Sequence, residues 1–523
     1  MPARGAHEPP RPVEVIALNA LTSADHDRLD AQTRSLVERR NRVMGPAYRL
    51  SYNVPFQPIR AQGTKIVDVH GDEYLDAYNN VASVGHNHPR VVDAVSRQLR
   101  TINTNTRYLQ RDIIEYAEQL VATHGSPLAN VMFTCSGSEA NDLAARMARQ
   151  VTGGTGIIVT EYAYHGNTRD VASWSPSSGE GTILAPDVRV VPAPDAFRRP
   201  GGDLGAWFGR HIQAQIDDLA RHGVKLAAFV VDSLFSSDGI YPDAGVLSSA
   251  IDVVHAAGGV LISDEVQPGF GRTGAAMWGY QRSDIVPDII TMGKPMGNGM
   301  PIAGVVAKRS VVEAFGDNVA YFNTFGGENA PVAAARAVLD VIRDEDLIAN
   351  ARDKGDQLLA GMREIVRRYG VPADVRGAGM YLGVEFVDDL ESRVPDPHAA
   401  VRFVNDLRER RVITSMAGQF GNVIKVRPPI VFSQGDVDRY LTEFDHVARR
   451  SGSGAVGPVH ARNVQPIATE SGIAEANVNA SALNREDLRR MVVEELRNWI
   501  GTRSTVGSNG AVGGSASDLR SMN

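Results

Sequence analysis

Apolar residues fall into two rhythms along this chain. Through its middle, short continuous apolar runs recur at 131–135 (VMFTC), 157–161 (IIVTE), 188–193 (VRVVPA), 227–232 (AAFVVD), 260–266 (VLISDEV), 288–292 (DIITM) and 302–307 (IAGVVA). Helical spacing fills the gaps, as at 139–150. Runs without polar alternation mark strands covered on both faces, and strands alternating with helices argue for a parallel sheet. Such sheets bind ligands outside the carboxyl ends of their strands. Upstream, 48–78 reads as short strands broken by turns, with a hairpin around His70-Gly71-Asp72. A helix follows over 89–101, carrying Val91, Val92, Ala94 and Val95.

From about 332 the second rhythm takes over. The stretches 331–347 (PVAAARAVLDVIRDEDL) and 356–370 (DQLLAGMREIVRRYG) are helical, and 380–388 (MYLGVEFVD) is a strand candidate. This reads as a smaller α+β region ending near 450. The expected organisation is an N-terminal arm (1–38), the first part of a small domain (39–105), a large domain (106–335), the rest of the small domain (336–450) and a tail (451–523). Within the tail, 451–482 is a Gly-, Ala- and Asn-rich linker. Residues 484–500 form one amphipathic helix capped by Asn484 or Ser481, and the stretch 504–518 is expected to be disordered.

Length and composition narrow the class. The 523 residues suggest two or three domains. A hydrophobic share of 43% and a charged share of 22% are those of soluble globular proteins. A net charge of −7 argues against a general nucleic-acid binder. The lone Cys135 excludes an internal disulfide and fits a reducing compartment. The first residues lack the apolar run of a signal peptide, and no apolar stretch is long enough to span a bilayer. The expectation is a cytoplasmic enzyme with no membrane span and no metal site.

Four features with chemistry sit where strands end. At 133–142 (FTCSGSEAND) a strand gives way to a Ser136-Gly137-Ser138 turn and a helix, whose N-terminal N–H groups and dipole suit a phosphate. By itself this is an ordinary N-cap. At 161–167 (EYAYHGN), Tyr164 offers a ring face to a planar group and Gly166 lets the chain approach closely, although a lone tyrosine there is more often a core aromatic. In 261–274 (LISDEVQPGFGRTG), Asp264 ends a nearly all-apolar run, and a carboxylate buried there needs a cationic partner. A protonated pyridine nitrogen would serve; an arginine partner or a loop cap is the alternative. Gln267, three residues on, is placed to donate to a phenolate oxygen. In 288–304 (DIITMGKPMGNGMPIAG), Lys294 follows an apolar strand among glycines, where burial makes the neutral, nucleophilic amine accessible. A lone lysine after a strand is usually solvated; in this company it is not alone.

In combination, SGSEAND, YHG, DEVQPGFGRTG, GKPMGNGMPI and NTFGGE resemble the class III aminotransferases, a branch of the fold-type-I pyridoxal 5′-phosphate (PLP) enzymes, over about 39–450. The resemblance implies an α/β fold, with a large domain built on a mainly parallel seven-stranded sheet between helices and a smaller α+β domain. It also implies roles. Lys294 binds the cofactor as a Schiff base and shuttles the proton, and Asp264 pairs with the ring nitrogen. Gln267 bonds the ring oxygen, Tyr164 stacks on the ring, and Gly137 and Ser138 hold the phosphate. Thr324 reaches the phosphate of a neighbouring subunit, which implies a homodimer with shared sites. The wording of 79–92 and 103–109 is similar to the branch holding alanine–glyoxylate-type transaminases and phospho-lyases acting on phosphoethanolamine or phosphohydroxylysine.

Transamination between an amine or amino acid and a 2-oxo acid or aldehyde is therefore the expected activity. Release of ammonia and phosphate from a phosphorylated amine is the alternative. The chain also departs from the family's pattern. Many members carry Glu-Pro where it has Asp232-Ser233, an acidic gate residue corresponds to Ser237, and an arginine that binds substrate carboxylate corresponds to Lys425. Lys425 is either an anion binder or a surface lysine. Arg427, two residues on along the same strand face, is its rival, and Arg107 is a third cation for a substrate phosphate. Arg272 is expected to be structural. The helix 484–500 is a candidate docking element for a protein partner or packs on its own enzyme.

Overall fold

A computed structural model describes residues 19–179, 181–199 and 201–452. The readings of the helix 484–500 and of the rest of the tail beyond 452 lie outside the described residues, as do residues 1–18 of the arm.

The apolar runs of the middle region become seven strands of one sheet. These are β4 (Leu128–Thr134), β5 (Gly156–Thr160), β6 (Val188–Val191), β7 (Leu226–Val231), β8 (Val260–Asp264), β9 (Ile289–Met292) and β10 (Ala303–Lys308), in the order β4-β10-β9-β8-β7-β5-β6. Three strands, between residues 58 and 76, precede them in the chain. Residues 228 and 230 of β7 pack with the helix Gly137–Thr152, whereas Phe229 and Val231 join the core around the helices Leu204–Arg221 and Val246–Ala256. A two-residue period thus divides one wholly buried strand between two cores. Four of the pairings are parallel. Strand β10 runs antiparallel to both β9 and β4. The reason is local: residues 293–302 hold no crossover helix, so the chain turns straight back beside β9.

Two smaller sheets complete the described chain. In the first, β1 (Pro58–Gln62), β2 (Lys65–Asp68) and β3 (Glu73–Asp76) form a meander, with Ile66 opposite Tyr74 across the turn read at His70-Gly71-Asp72. Its fourth strand, β13 (Val412–Ile413), comes from the far end and pairs parallel to β3. In the second, β11 (Ala373–Ala378), β12 (Tyr381–Phe386), β14 (Ser415–Ala417) and β15 (Val423–Val426) pair antiparallel in the order β11-β12-β15-β14. Residues Ala31–Met44 form a helix where the pattern marks an arm as far as 38. Only Thr33 and Val37 of it are buried, so its apolar stripe is faint, but Asp30 caps it by accepting from the N–H groups of Gln32 and Thr33. Among the described residues no helix is long and apolar enough to cross a membrane.

Candidate active site

The carboxyl ends of the central strands open onto a cavity of about 310 Å³. Gly137, Ser138, Tyr164, Asp264, Gln267 and Lys294 all line it. Lys294 stands on the turn after β9, Asp264 ends β8, and Gly137 begins the helix after β4. The amine and the carboxylate on which the reading depends therefore face one space. Val81, from the loop after β3, and Met300 to Ile302, before β10, close its sides.

Asp264 is held by three donors. Its Oδ2 accepts from His165 Nδ1 at 2.7 Å and from Asn141 Nδ2 at 2.9 Å, and its Oδ1 accepts from the Val266 N–H at 3.0 Å. A carboxylate only accepts, so Nδ1 of His165 carries the hydrogen. Asn141 is held in turn: Thr291 Oγ1 donates to its carbonyl oxygen at 2.7 Å, and its amide also donates to the His165 carbonyl oxygen. Both side-chain donors fall on Oδ2, which leaves a lone pair of Oδ1 uncommitted among these contacts.

Lys294 is accessible within the cavity yet surrounded by protein. Desolvation lowers its pKa, the Arg427 charge lowers it further, and Asp264 and Asp232 oppose the shift. This favours a neutral amine at the mouth of β9. Gln267 has its carbonyl oxygen engaged by Tyr381 Oη at 3.0 Å and by Arg427 Nη1. Its Nε2 makes no hydrogen bond among the described residues.

Whether this space suits PLP is tested by its backbone. Ser136 caps the helix Gly137–Thr152, its Oγ accepting from the Glu139 N–H. A Cβ at Gly166, where φ is +149°, would lie 2.4 Å from Ser138 Oγ, and one at Gly137 would lie 2.8 Å from Val266 Cγ2. Gly166 thus lets its loop lie against Ser138 in the first turn of the helix, whose unpaired N–H groups suit a phosphate. A phosphate cradle, a carboxylate and an amine around one cavity fit the cofactor. The Gly166→Ala variant is expected to lose roughly ten- to hundredfold in PLP affinity, measured by titrating apoprotein, with its circular dichroism unchanged.

The other residues singled out in the sequence lie elsewhere. Thr324 is exposed on the loop before the helix Asn329–Asp344 and does not line this cavity. Lys425 and Arg427 are buried behind the cavity wall. Desolvation, reinforced by Arg427, pushes Lys425 down to about 7, with Asp232 opposing and Lys294 adding to the fall. Arg427 donates through Nε to the Tyr78 carbonyl oxygen as well as to Gln267, so part of its fork is committed. Arg272 is buried and donates to the carbonyl oxygens of Met380 and Pro428, tying the loop after β8 to the second small sheet. Arg107 lies over the ring of Phe322, outside the cavity.

Asn141, His165 and Tyr381 were not singled out in the sequence. For Asn141 a signal existed: it lies on the helical stripe of Ala144, Ala145 and Ala148, and a polar residue on a buried stripe calls for a partner. His165 and Tyr381 carried no such sign, since their partners are 99 and 114 positions away.

The family model described as aminotransferase class-III matches residues 48–448. The chain is 40% identical over 422 residues to "Alanine--glyoxylate aminotransferase 2-like" of Drosophila melanogaster, covering 78% of this chain and 85% of that protein. It is 34% identical to "Ethanolamine-phosphate phospho-lyase homolog 1" of Caenorhabditis elegans, covering 79% and 92%. Among solved structures, a phospholyase from Arthrobacter in complex with phosphoethanolamine superposes with a TM-score of 0.76 at 39% identity, covering 79% of this chain and 99% of that one.

Proposed function

This chain belongs to the class III aminotransferases, whose cofactor is pyridoxal 5′-phosphate, and from that premise we propose that it moves an amino group from an amine or amino acid to a 2-oxo acid or aldehyde in two half-reactions on one site. The observation that carries this reading is the shared cavity of Lys294 and Asp264. Bound there, the cofactor supplies an aldehyde that captures amines and a ring that accepts the electron pair of a broken C–H bond. The residues do the rest. Asp264, pinned by His165 and Asn141, pairs with a protonated ring nitrogen. Gln267 directs its free amide N–H toward the ring oxygen, and Tyr164 supports the ring face. Gly137 and Ser138 receive the phosphate. With the cofactor bound, the amine of Lys294 would take the proton from the carbon bearing the amino group and return one to the cofactor's aldehyde carbon on the other side of the nitrogen.

A homodimer with shared sites belongs to this reading. Thr324 is exposed between Phe322 and Phe325, which are 40% and 67% exposed, and Arg107 joins their loop to Tyr108 and Leu109, 66% and 92% exposed. So much apolar surface beside one loop suits a second copy, to whose phosphate Thr324 would reach. A cytoplasmic location remains part of the proposal.

A second reading, phosphate elimination from a phosphorylated amine, is favoured by one buried cation and one missing anion. Lys425 lies within electrostatic reach of Lys294, and Ser237 stands where an acidic gate would repel phosphate. The phospholyase likeness supports it. The test is to offer phosphoethanolamine and amino acids to the PLP-loaded protein without an acceptor. Under the transaminase reading each site turns over once, until an oxo acid is added. Continuous release of phosphate and ammonia would replace that reading with the lyase.

The state of Lys425 sets a pH dependence. Burial and the Arg427 charge hold its pKa at about 7, below the ordinary lysine range, so its charge fades as pH rises through about 7. If an anionic substrate group is held there, KM for that substrate rises between pH 6 and 8, at values set by about one unit on either side of that pKa. A Lys425→Arg variant, whose guanidinium stays charged, flattens the profile. A KM profile identical in both proteins would remove Lys425 from substrate recognition.

A further inference from the structure

We infer that Arg427 and Tyr381 are positioning residues which lock the Gln267 amide, so that its N–H donors face the cofactor and Arg427 is not a substrate ligand. The inference deepens the reading of the cavity as a PLP site and rests on it. It starts from the chemistry of an amide, which has one acceptor atom and one donor atom that look alike in shape. A guanidinium only donates. The atom of Gln267 that meets Arg427 Nη1 must therefore be the oxygen. Tyr381 Oη donates to the same oxygen at 3.0 Å. With two donors on its oxygen, Gln267 has no reason to turn, and its Nε2 is left for the cavity that the residue lines.

The lock is itself built in. The Arg427 backbone N–H donates to the Ala77 carbonyl oxygen at 2.8 Å, and its Nε donates to that of Tyr78 at 3.2 Å. The guanidinium lies against the rings of Tyr78 and Tyr381, 5.0 and 5.6 Å from their centroids. Asn80 Nδ2 fixes the Gln267 main chain by donating to its carbonyl oxygen at 3.1 Å. Arg427 and Tyr381 are both buried, at 5% and 0% exposure. An arginine whose main chain is tied to Ala77 and whose guanidinium is held by the Tyr78 carbonyl, the Gln267 oxygen and two rings is not poised to swing onto a substrate. Its fixed charge also acts on the amine of Lys294, which it biases toward the neutral form.

The experiment is a double-mutant cycle on the cofactor-loaded protein. Tyr381→Phe, Arg427→Gln and Gln267→Ala are made singly, and the first two also in the Gln267→Ala background. PLP affinity is read by titrating apoprotein, and the pH midpoint of the bound cofactor's absorbance change is read in parallel. In the native background, Arg427→Gln is expected to weaken PLP binding roughly tenfold and to shift the midpoint, with Tyr381→Phe giving a smaller change in affinity. In the Gln267→Ala background the effect of Tyr381→Phe vanishes and that of Arg427→Gln shrinks. Tyr381→Phe deletes one oxygen, so the cycle stays readable if Arg427→Gln fails to fold. Full additivity would overturn the inference. So would an Arg427→Gln variant with unchanged affinity and spectrum but a raised KM for anionic substrate. A wild-type protein that takes up no PLP would overturn both this inference and the reading beneath it, whereas wild-type binding with additive variants would overturn the inference alone.

Discussion

Replacing Lys294 by alanine abolishes turnover while leaving a folded protein that still collects PLP. The size of the loss follows from what the amine does. It is accessible in the cavity, its proton affinity is lowered by desolvation and by Arg427, and among the described residues no second amine lines that space. Removing a proton-transfer group at the reacting carbon is expected to lower the rate by about 10⁴-fold, the upper end for such groups, because the same residue also holds the cofactor. Borohydride fixes the cofactor to the wild-type chain at Lys294 and leaves the variant unlabelled. A small primary amine added to the solution restores part of the activity, since the chemical need is for an amine rather than for a side chain. Turnover within tenfold of wild type, or labelling elsewhere, would be incompatible with this site.

Asp264→Asn gives the second large effect and separates charge from shape. The substitution keeps size and removes the charge meant for the ring nitrogen. It also sets an amide against two groups, His165 Nδ1 and Asn141 Nδ2, that both donate to Oδ2. Breaking a buried ionic pairing by removing one partner costs about 3–5 kcal/mol, or about 10²- to 10⁴-fold in rate if the loss falls on the transition state. The measurement is the single-turnover half-reaction with an amino donor. Cofactor binding persists, because the phosphate cradle at Gly137 and Ser138 is untouched, while the half-reaction slows. A normal half-reaction in Asp264→Asn would break the link between this carboxylate and the ring nitrogen.

Much of this was legible in the order of residues. Lys294 stood out only in the company of the other motifs at strand ends, whereas Asp264 stood out because it ends a nearly all-apolar run, where a charge needs a chemical reason. The central strands followed for the same cause. The reversed strand β10 looked like its neighbours in composition, and only the missing helix between 292 and 303 distinguished it. The pairing of β13 with β3 left no local trace, since the residues lie more than 300 positions apart. Arg427 shows the limit most clearly. Alternation put it beside Lys425 and made it a rival anion binder, but its contacts with Gln267, Tyr78 and Tyr381 bridge chain segments that no periodicity connects. The helix Ala31–Met44 escaped notice because a charged helix that buries two residues has almost no hydrophobic signature.

The contacts around Gln267 have a consequence for how the protein is born. Its main chain is anchored by Asn80, 187 positions earlier, and its side chain by Arg427, 160 positions later. Contacts so distant in the chain close late, after local structure has formed. Arg427 must leave the ribosome before these walls of the cleft come together, so the donor meant for the ring oxygen is set only after the strands that carry Asp264 and Lys294 have been made.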